Sequence, residues 1–111
     1  MKRLALLALL ALTAAQASAD PEAGIAAIQD LGRVNGQALA CSQMATSSQT
    51  KKLMIKHSPK TRRYGEVFEE ATNSAYLAQG KDQQSCPKED EFSARLFEIS
   101  GRLQTALPAG K

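Results

Sequence analysis

Two cysteines, Cys41 and Cys86, limit what this chain of 111 residues can fold into more than any other feature of its sequence. Two cysteines allow a single intramolecular disulfide, and here it would link parts of the chain that are far apart in sequence. For a closed loop of about 46 residues, the chain-entropy estimate gives roughly 4 kcal/mol of stabilisation. A domain of this size is commonly stable by only ~5–10 kcal/mol in total. One bridge can therefore decide whether the domain stays folded.

The N-terminal residues indicate where the cysteines would meet an oxidising environment. Met1 is followed by Lys2 and Arg3, Leu4 to Leu12 is an apolar run, and Ala17-Ser18-Ala19 has small residues where a signal peptidase cuts. This pattern predicts a secretory signal peptide over residues 1–19. A membrane-spanning helix needs ~20 apolar residues, about twice the length of this run. We therefore expect a single mature domain over residues 20–111, soluble in the periplasm or secreted, with its cysteines oxidised.

A catalytic or redox role for the cysteines is the alternative to a structural bridge. Redox motifs place two cysteines two residues apart, whereas Cys41 and Cys86 are 45 positions apart. His57, the single histidine, could in principle activate a cysteine, but no Asn or Asp stands in a recognisable orienting motif. The sequence predicts a structural Cys41–Cys86 disulfide.

Helical patterns cover most of the mature chain, and no segment alternates polar and apolar residues long enough to predict a strand. The first helix should begin at Pro21, with Asp20 as its N-cap. Gly32 and Gly36 weaken its second half, so a bend or a restart is expected near Gly36. The spacing of Gly32, Gly36 and Ala40 also predicts a smooth strip on which another helix can pack closely.

The middle of the chain gives weaker helical signals. Residues 42–50 are polar and indicate a loop or a weak helical start, and Lys51–His57 forms a short candidate helix that ends before Pro59. A third helix is expected to open at Ser58-Pro59 and to end at Gly80. Its buried stripe consists of Tyr64, Phe68, Ala71 and Ala75.

The last helix has the clearest signal. Pro87 should occupy its first position, and the acidic residues 89–91 fall in its first turn, where the helix dipole favours negative charge. One face carries Phe92, Leu96, Ile99, Leu103 and Leu107. The fold class predicted from these patterns is all-α: a small bundle of three to four helices, stapled near one end by one disulfide.

Positive charge is concentrated in one short segment. No acidic residue occurs between Asp30 and Glu66, whereas seven basic residues do, and six of the seven lie within thirteen residues. We predict that these six bind an anionic partner, either a protein or an envelope surface, with a salt-sensitive affinity. They are Lys51, Lys52, Lys56, Lys60, Arg62 and Arg63.

One alternative to this interpretation remains open: a solvated face that forms internal ion pairs with Glu66, Glu69, Glu70 and the acidic residues 89–91. No nucleic-acid partner is expected, because export separates the protein from most nucleic acid and Tyr64 alone is placed to stack on a base.

A metal site is a weaker hypothesis. Met44, Met54 and His57 offer thioether and imidazole donors, which suit copper, so a periplasmic copper carrier is one alternative function. Methionines at such positions are more often core filler, and no bound cofactor is expected. The sequence contains no phosphate-binding glycine loop, nucleophile elbow, zinc-protease signature or CxxC pair, so we expect a protein that is not an enzyme.

In layout the chain resembles the small periplasmic acid-stress chaperones of the HdeA type. The resemblance consists of the leader, a mature domain of about ninety residues, the two distant cysteines and the amphipathic C-terminal helix. It implies, as a further alternative, a chaperone that opens in acid when its carboxylates are protonated and positive charges repel one another.

Overall fold

The computed structural model describes residues 21–108, which form four α-helices and one turn of 3-10 helix. The helices are α1 (Pro21–Ala40), α2 (Met44–His57), α3 (Arg62–Gly80) and α4 (Glu89–Ala106), and the 3-10 turn is Gln83–Ser85. No strand occurs in residues 21–108, so the predicted all-α bundle is confirmed. The predicted signal peptide and the predicted Asp20 N-cap lie outside the described residues.

Helix α1 is the centre of the bundle, because it packs against each of the other three helices. The chain runs up and down, so that α1 and α3 begin at the end of the bundle where α2 and α4 finish. We call this the basic end, and the opposite end, which holds Cys41 and Cys86, the disulfide end. The core is formed mainly by α1 and α4, as their alternating apolar faces predict. Its fully buried members are Ala27, Ile28, Leu31, Val34, Ala38, Phe92, Leu96, Ile99 and Leu103.

The predicted disulfide is present. Cys41 directly follows α1 and Cys86 directly follows the 3-10 turn, and their Cα atoms are 5.8 Å apart. Gln83 lies beside the bridge and donates from Nε2 to the carbonyl of Ala40 at 3.2 Å. The staple therefore joins the end of the central helix to the segment that leads into α4.

The glycines of α1 do not break it. The helix is continuous through Gly32 and Gly36, so the alternative that it restarts near Gly36 was wrong. The predicted packing strip is confirmed instead: a Cβ at Gly32 would lie 2.6 Å from the carbonyl oxygen of Phe68 and 2.7 Å from the Cβ of Ala71. Two helices in this parallel arrangement approach so closely only where one presents hydrogen in place of a side chain.

Helix α2 is longer than the sequence indicated, because it begins at Met44 within the segment expected to be a loop. The polar residues of its first half are buried on Asn35 of α1. Ser47 Oγ donates to Asn35 Oδ1 at 2.7 Å, and Thr50 Oγ1 lies 3.0 Å from the same oxygen. Asn35 Nδ2 in turn donates to Thr72 Oγ1 at 3.2 Å, which ties three helices together.

We expect Asn35→Ala to lower the free energy of unfolding by about 2 kcal/mol, because it leaves the buried hydroxyl of Ser47 without an acceptor. Urea denaturation measures the change. In the double variant Asn35→Ala/Ser47→Ala the orphaned hydroxyl is gone, so part of the loss should be recovered. If the double variant is as unstable as Asn35→Ala, or if its loss equals the sum of the two single-variant losses, the Ser47 hydroxyl has another acceptor in Asn35→Ala.

The bounds of α3 and α4 differ from the prediction by a few residues. Helix α3 begins at Arg62, since Thr61 is extended, rather than at Ser58-Pro59. Helix α4 begins at Glu89, two residues after Pro87, and Glu91 accepts a hydrogen bond from the backbone N–H of Lys88 at 3.3 Å. The predicted acidic first turn and apolar face of α4 are confirmed. No helix within residues 21–108 has the length and apolar content needed to cross a bilayer.

Candidate anion-binding surface

The six basic residues predicted from the sequence are all exposed and come from three consecutive parts of the fold. Helix α2 contributes three lysines from its second half, the connection to α3 contributes one lysine, and the first turn of α3 contributes two arginines. Because α2 finishes where α3 begins, Lys56, Lys60, Arg62 and Arg63 lie toward the basic end, whereas Lys51 and Lys52 lie near the middle of α2. We call the set the basic surface: Lys51, Lys52, Lys56, Lys60, Arg62 and Arg63.

The basic surface is not neutralised by internal ion pairs. Within residues 21–108 none of its six cations lies within 4.0 Å of a carboxylate oxygen, and the expected pairs with Glu66, Glu69 and Glu70 do not form. The acidic residues 89–91 lie in the first turn of α4, at the disulfide end. The acidic turn of α4 is therefore too far from α3 to pair with Arg62 and Arg63.

Of the three ion pairs within residues 21–108, one connects α1 with α4, and the other two lie within a single helix. Asp30 accepts hydrogen bonds from Arg33 Nη1 and Arg102 Nη1, each at 2.7 Å. The hydrogen bond to Asp30 raises the pKa of the Arg102 guanidinium. Burial lowers the pKa of Arg95, which donates to Gln37 Oε1 at 2.6 Å. Arg95 and Arg102 of α4 are thus bound to α1.

One functional candidate was missed in the sequence, namely Ile55. Its side chain is 72% exposed on α2. Lys51 and Lys52 precede it by four and three residues, so they lie beside it on the same helix face, and Lys56 follows it directly. The signal was available in the spacing, but it depends on knowing which face of α2 is buried.

The candidate copper ligands are not brought together. Met44 is exposed in the first turn of α2, ten residues before Met54, and at 1.5 Å per residue this places them about 15 Å apart along the helix. Met54 packs against the core. His57 is 95% buried by surface area, and its Nδ1 lies 2.7 Å from the carbonyl oxygen of Leu107. Because a carbonyl only accepts, Nδ1 carries the proton and the ring fastens the end of α2 to the end of α4.

A groove of about 910 Å³ runs between α1 and α3. Its walls carry charges of both signs, including Arg33, Glu70 and Asp82. Among the described side chains, no buried nitrogen or oxygen atom lacks a hydrogen-bond partner. The groove thus has a mixed lining, with two acidic residues and one basic residue.

Comparison with known proteins gives no relative: no protein-family model matches the chain, and neither the curated proteins nor the solved structures contain a significant match.

Proposed function

We propose that the protein is an exported, non-enzymatic binding or accessory protein that presents its basic surface to an anionic partner. The observation that carries this proposal is the exposure of six cations between the second half of α2 and the first turn of α3, none of them in an ion pair with a described carboxylate. Like charges that are held close together repel one another, so their concentration in this segment is unfavourable for the isolated molecule. An anionic partner removes that cost.

The proposed location outside the cytoplasm rests on two independent features. The N-terminal residues have the order of a signal peptide, and the mature chain contains a disulfide, which forms and persists in oxidising compartments. In the periplasm or outside the cell, anionic partners include envelope surfaces and acidic proteins.

Electrostatic attraction at such a surface is additive and screened by salt. A single exposed ion pair contributes ~0–1 kcal/mol, but several cations on one face raise the rate of encounter with a polyanion. At physiological ionic strength the Debye length is about 8 Å, so cations within one helix turn still act together. Lys51, Lys52 and Lys56 act together on this scale, because five residues of α2 separate the first from the last, a rise of about 7.5 Å.

We expect the double variant Lys51→Gln/Lys52→Gln to bind heparin, a soluble polyanionic probe, about thirtyfold more weakly in 50 mM salt, since each lysine near an anionic surface contributes ~1 kcal/mol. Isothermal titration at two salt concentrations measures the affinity and its salt dependence. Both side chains are exposed, so the melting temperature should change by no more than about 2 °C.

The matched control is Lys81→Gln/Lys88→Gln, which removes the same net charge from exposed positions at the disulfide end. Its affinity for heparin should stay within about twofold of the unaltered protein. If both double variants lose affinity equally, binding depends on net charge and not on the basic surface. If neither loses affinity, the proposed function is wrong.

A further inference from the structure

Ile55 is exposed on α2, a helix that is held in place by contacts on its opposite face. The opposite face of α2 is buried through Thr50, which lies 3.0 Å from Asn35 Oδ1, and through His57, which donates to the carbonyl of Leu107. These contacts hold both the middle and the end of α2 against α1 and α4. Helix α2 therefore cannot rotate to bury Ile55 without losing both contacts.

A partner that covers the basic surface must accommodate the aliphatic side chain of Ile55 as well as the charges of the lysines. On an acidic protein, a protruding aliphatic side chain needs a matching apolar pocket to leave water. A bilayer needs no such pocket, since its interface accepts apolar side chains while the phosphate groups bind the cations around them. Lysine suits this arrangement, because its alkyl stem lies along the apolar region and its ammonium group reaches the headgroups.

We infer that the basic surface docks on a bilayer containing anionic phospholipid, with α2 lying along the headgroups and Ile55 inserted among them. This inference rests on the proposed function and names its partner. Lys51, Lys52 and Lys56 contact phosphate groups around the inserted side chain, while Arg62 and Arg63 add attraction from the start of α3.

The decisive experiment measures vesicle binding of protein purified from the exported fraction, with the N-terminus of every variant determined by intact mass. The vesicles contain phosphatidylglycerol and phosphatidylcholine in one set and phosphatidylcholine alone in the other. We expect binding to the anionic vesicles only, and Ile55→Gln should weaken it about tenfold, since it removes a buried aliphatic side chain from the contact. Ile55→Leu keeps the aliphatic group and should bind within about twofold of the unaltered protein.

The matched control is Leu77→Gln, since Leu77 is 63% exposed on α3 and lies toward the disulfide end. It should leave vesicle binding unchanged. The chain contains no tryptophan, so Ile55→Trp and Leu77→Trp each place a single reporter at a known position. On anionic vesicles we expect a blue shift and quenching by brominated lipid for the reporter at position 55 and neither change for the one at position 77.

The outcomes separate this inference from the proposed function. If Ile55→Gln binds anionic vesicles as well as the unaltered protein, or if the reporter at position 55 stays in water, the bilayer inference is overturned. When heparin binding still depends on Lys51 and Lys52 in that case, the proposed function stands and the partner is an acidic protein or polysaccharide. Loss of that dependence as well overturns both.

Discussion

Replacement of both cysteines, Cys41→Ser/Cys86→Ser, is expected to lower the free energy of unfolding by roughly 4 kcal/mol, the largest effect of any change considered for this chain. The bridge lowers the conformational entropy of the unfolded chain, because it closes a loop that contains α2, α3 and the 3-10 turn. For a domain of this size each 1 kcal/mol corresponds to about 4–8 °C, so the melting temperature should fall by roughly 20 °C. Denaturant unfolding and thermal melts followed by circular dichroism measure both quantities.

The control for this experiment is reduction of the unaltered protein. A reductant should lower the melting temperature of the oxidised protein to that of the double variant and should leave the double variant unchanged. A loss below about 1 kcal/mol would show that the reduced, unfolded chain already holds these segments together, because the entropic gain depends on a disordered reference state.

The elements that the sequence predicted well are those set by local pattern. Helix α4 combines an acidic first turn with an apolar residue every three or four positions, and Phe92, Leu96, Ile99 and Leu103 are buried as expected. The disulfide was predictable for a similar reason, since two cysteines allow one intramolecular pairing. Neither inference required knowledge of what packs against what.

Helix α2 could not be predicted in the same way, because its stability comes from residues far away in the sequence. Ser47 and Thr50 are poor helix formers and make the segment resemble a loop. Their hydroxyl groups are nevertheless buried on Asn35, twelve and fifteen residues earlier in the chain. Tertiary hydrogen bonds stabilise α2 despite the low helix propensity of this segment, and no periodic pattern in the sequence predicts these bonds.

The candidate surface was predicted in part. Six basic residues within thirteen positions are visible in any sequence, and their exposure follows from the cost of burying charge. Ile55 was not identified, because Leu53-Met54-Ile55 is a continuous apolar run with no preferred face. Leu53 and Met54 pack against the core and Ile55 does not. The difference depends on which side of α2 is covered by α1 and α4, and the sequence of α2 does not reveal this.

The contact between α1 and α3 leads to the second large prediction: Gly36→Ala should lower the free energy of unfolding by about 3 kcal/mol, near the upper end of overpacking costs. The added Cβ would contact the carbonyl oxygen of Thr72 and lie 2.8 Å from the backbone nitrogen of Tyr76. Backbone atoms cannot move aside as the tip of a side chain can, so α3 itself has to shift. Helix α3 packs mainly on α1, with only minor contact to the 3-10 turn, so a shift weakens its principal attachment.

The sign of the effect distinguishes this contact from helix propensity, because alanine favours a helix over glycine by ~1 kcal/mol. Gly101 provides the matched control: it lies inside α4, and a Cβ there would meet nothing within 4 Å. Gly101→Ala should therefore stabilise the protein by about 0.5–1 kcal/mol, while Gly36→Ala destabilises it. Urea denaturation of the two variants under the same conditions compares them directly. If Gly36→Ala were also stabilising, α1 and α3 would have to lie farther apart in solution than this packing allows, and the parallel contact that positions α3 and its two arginines at the basic end would be wrong.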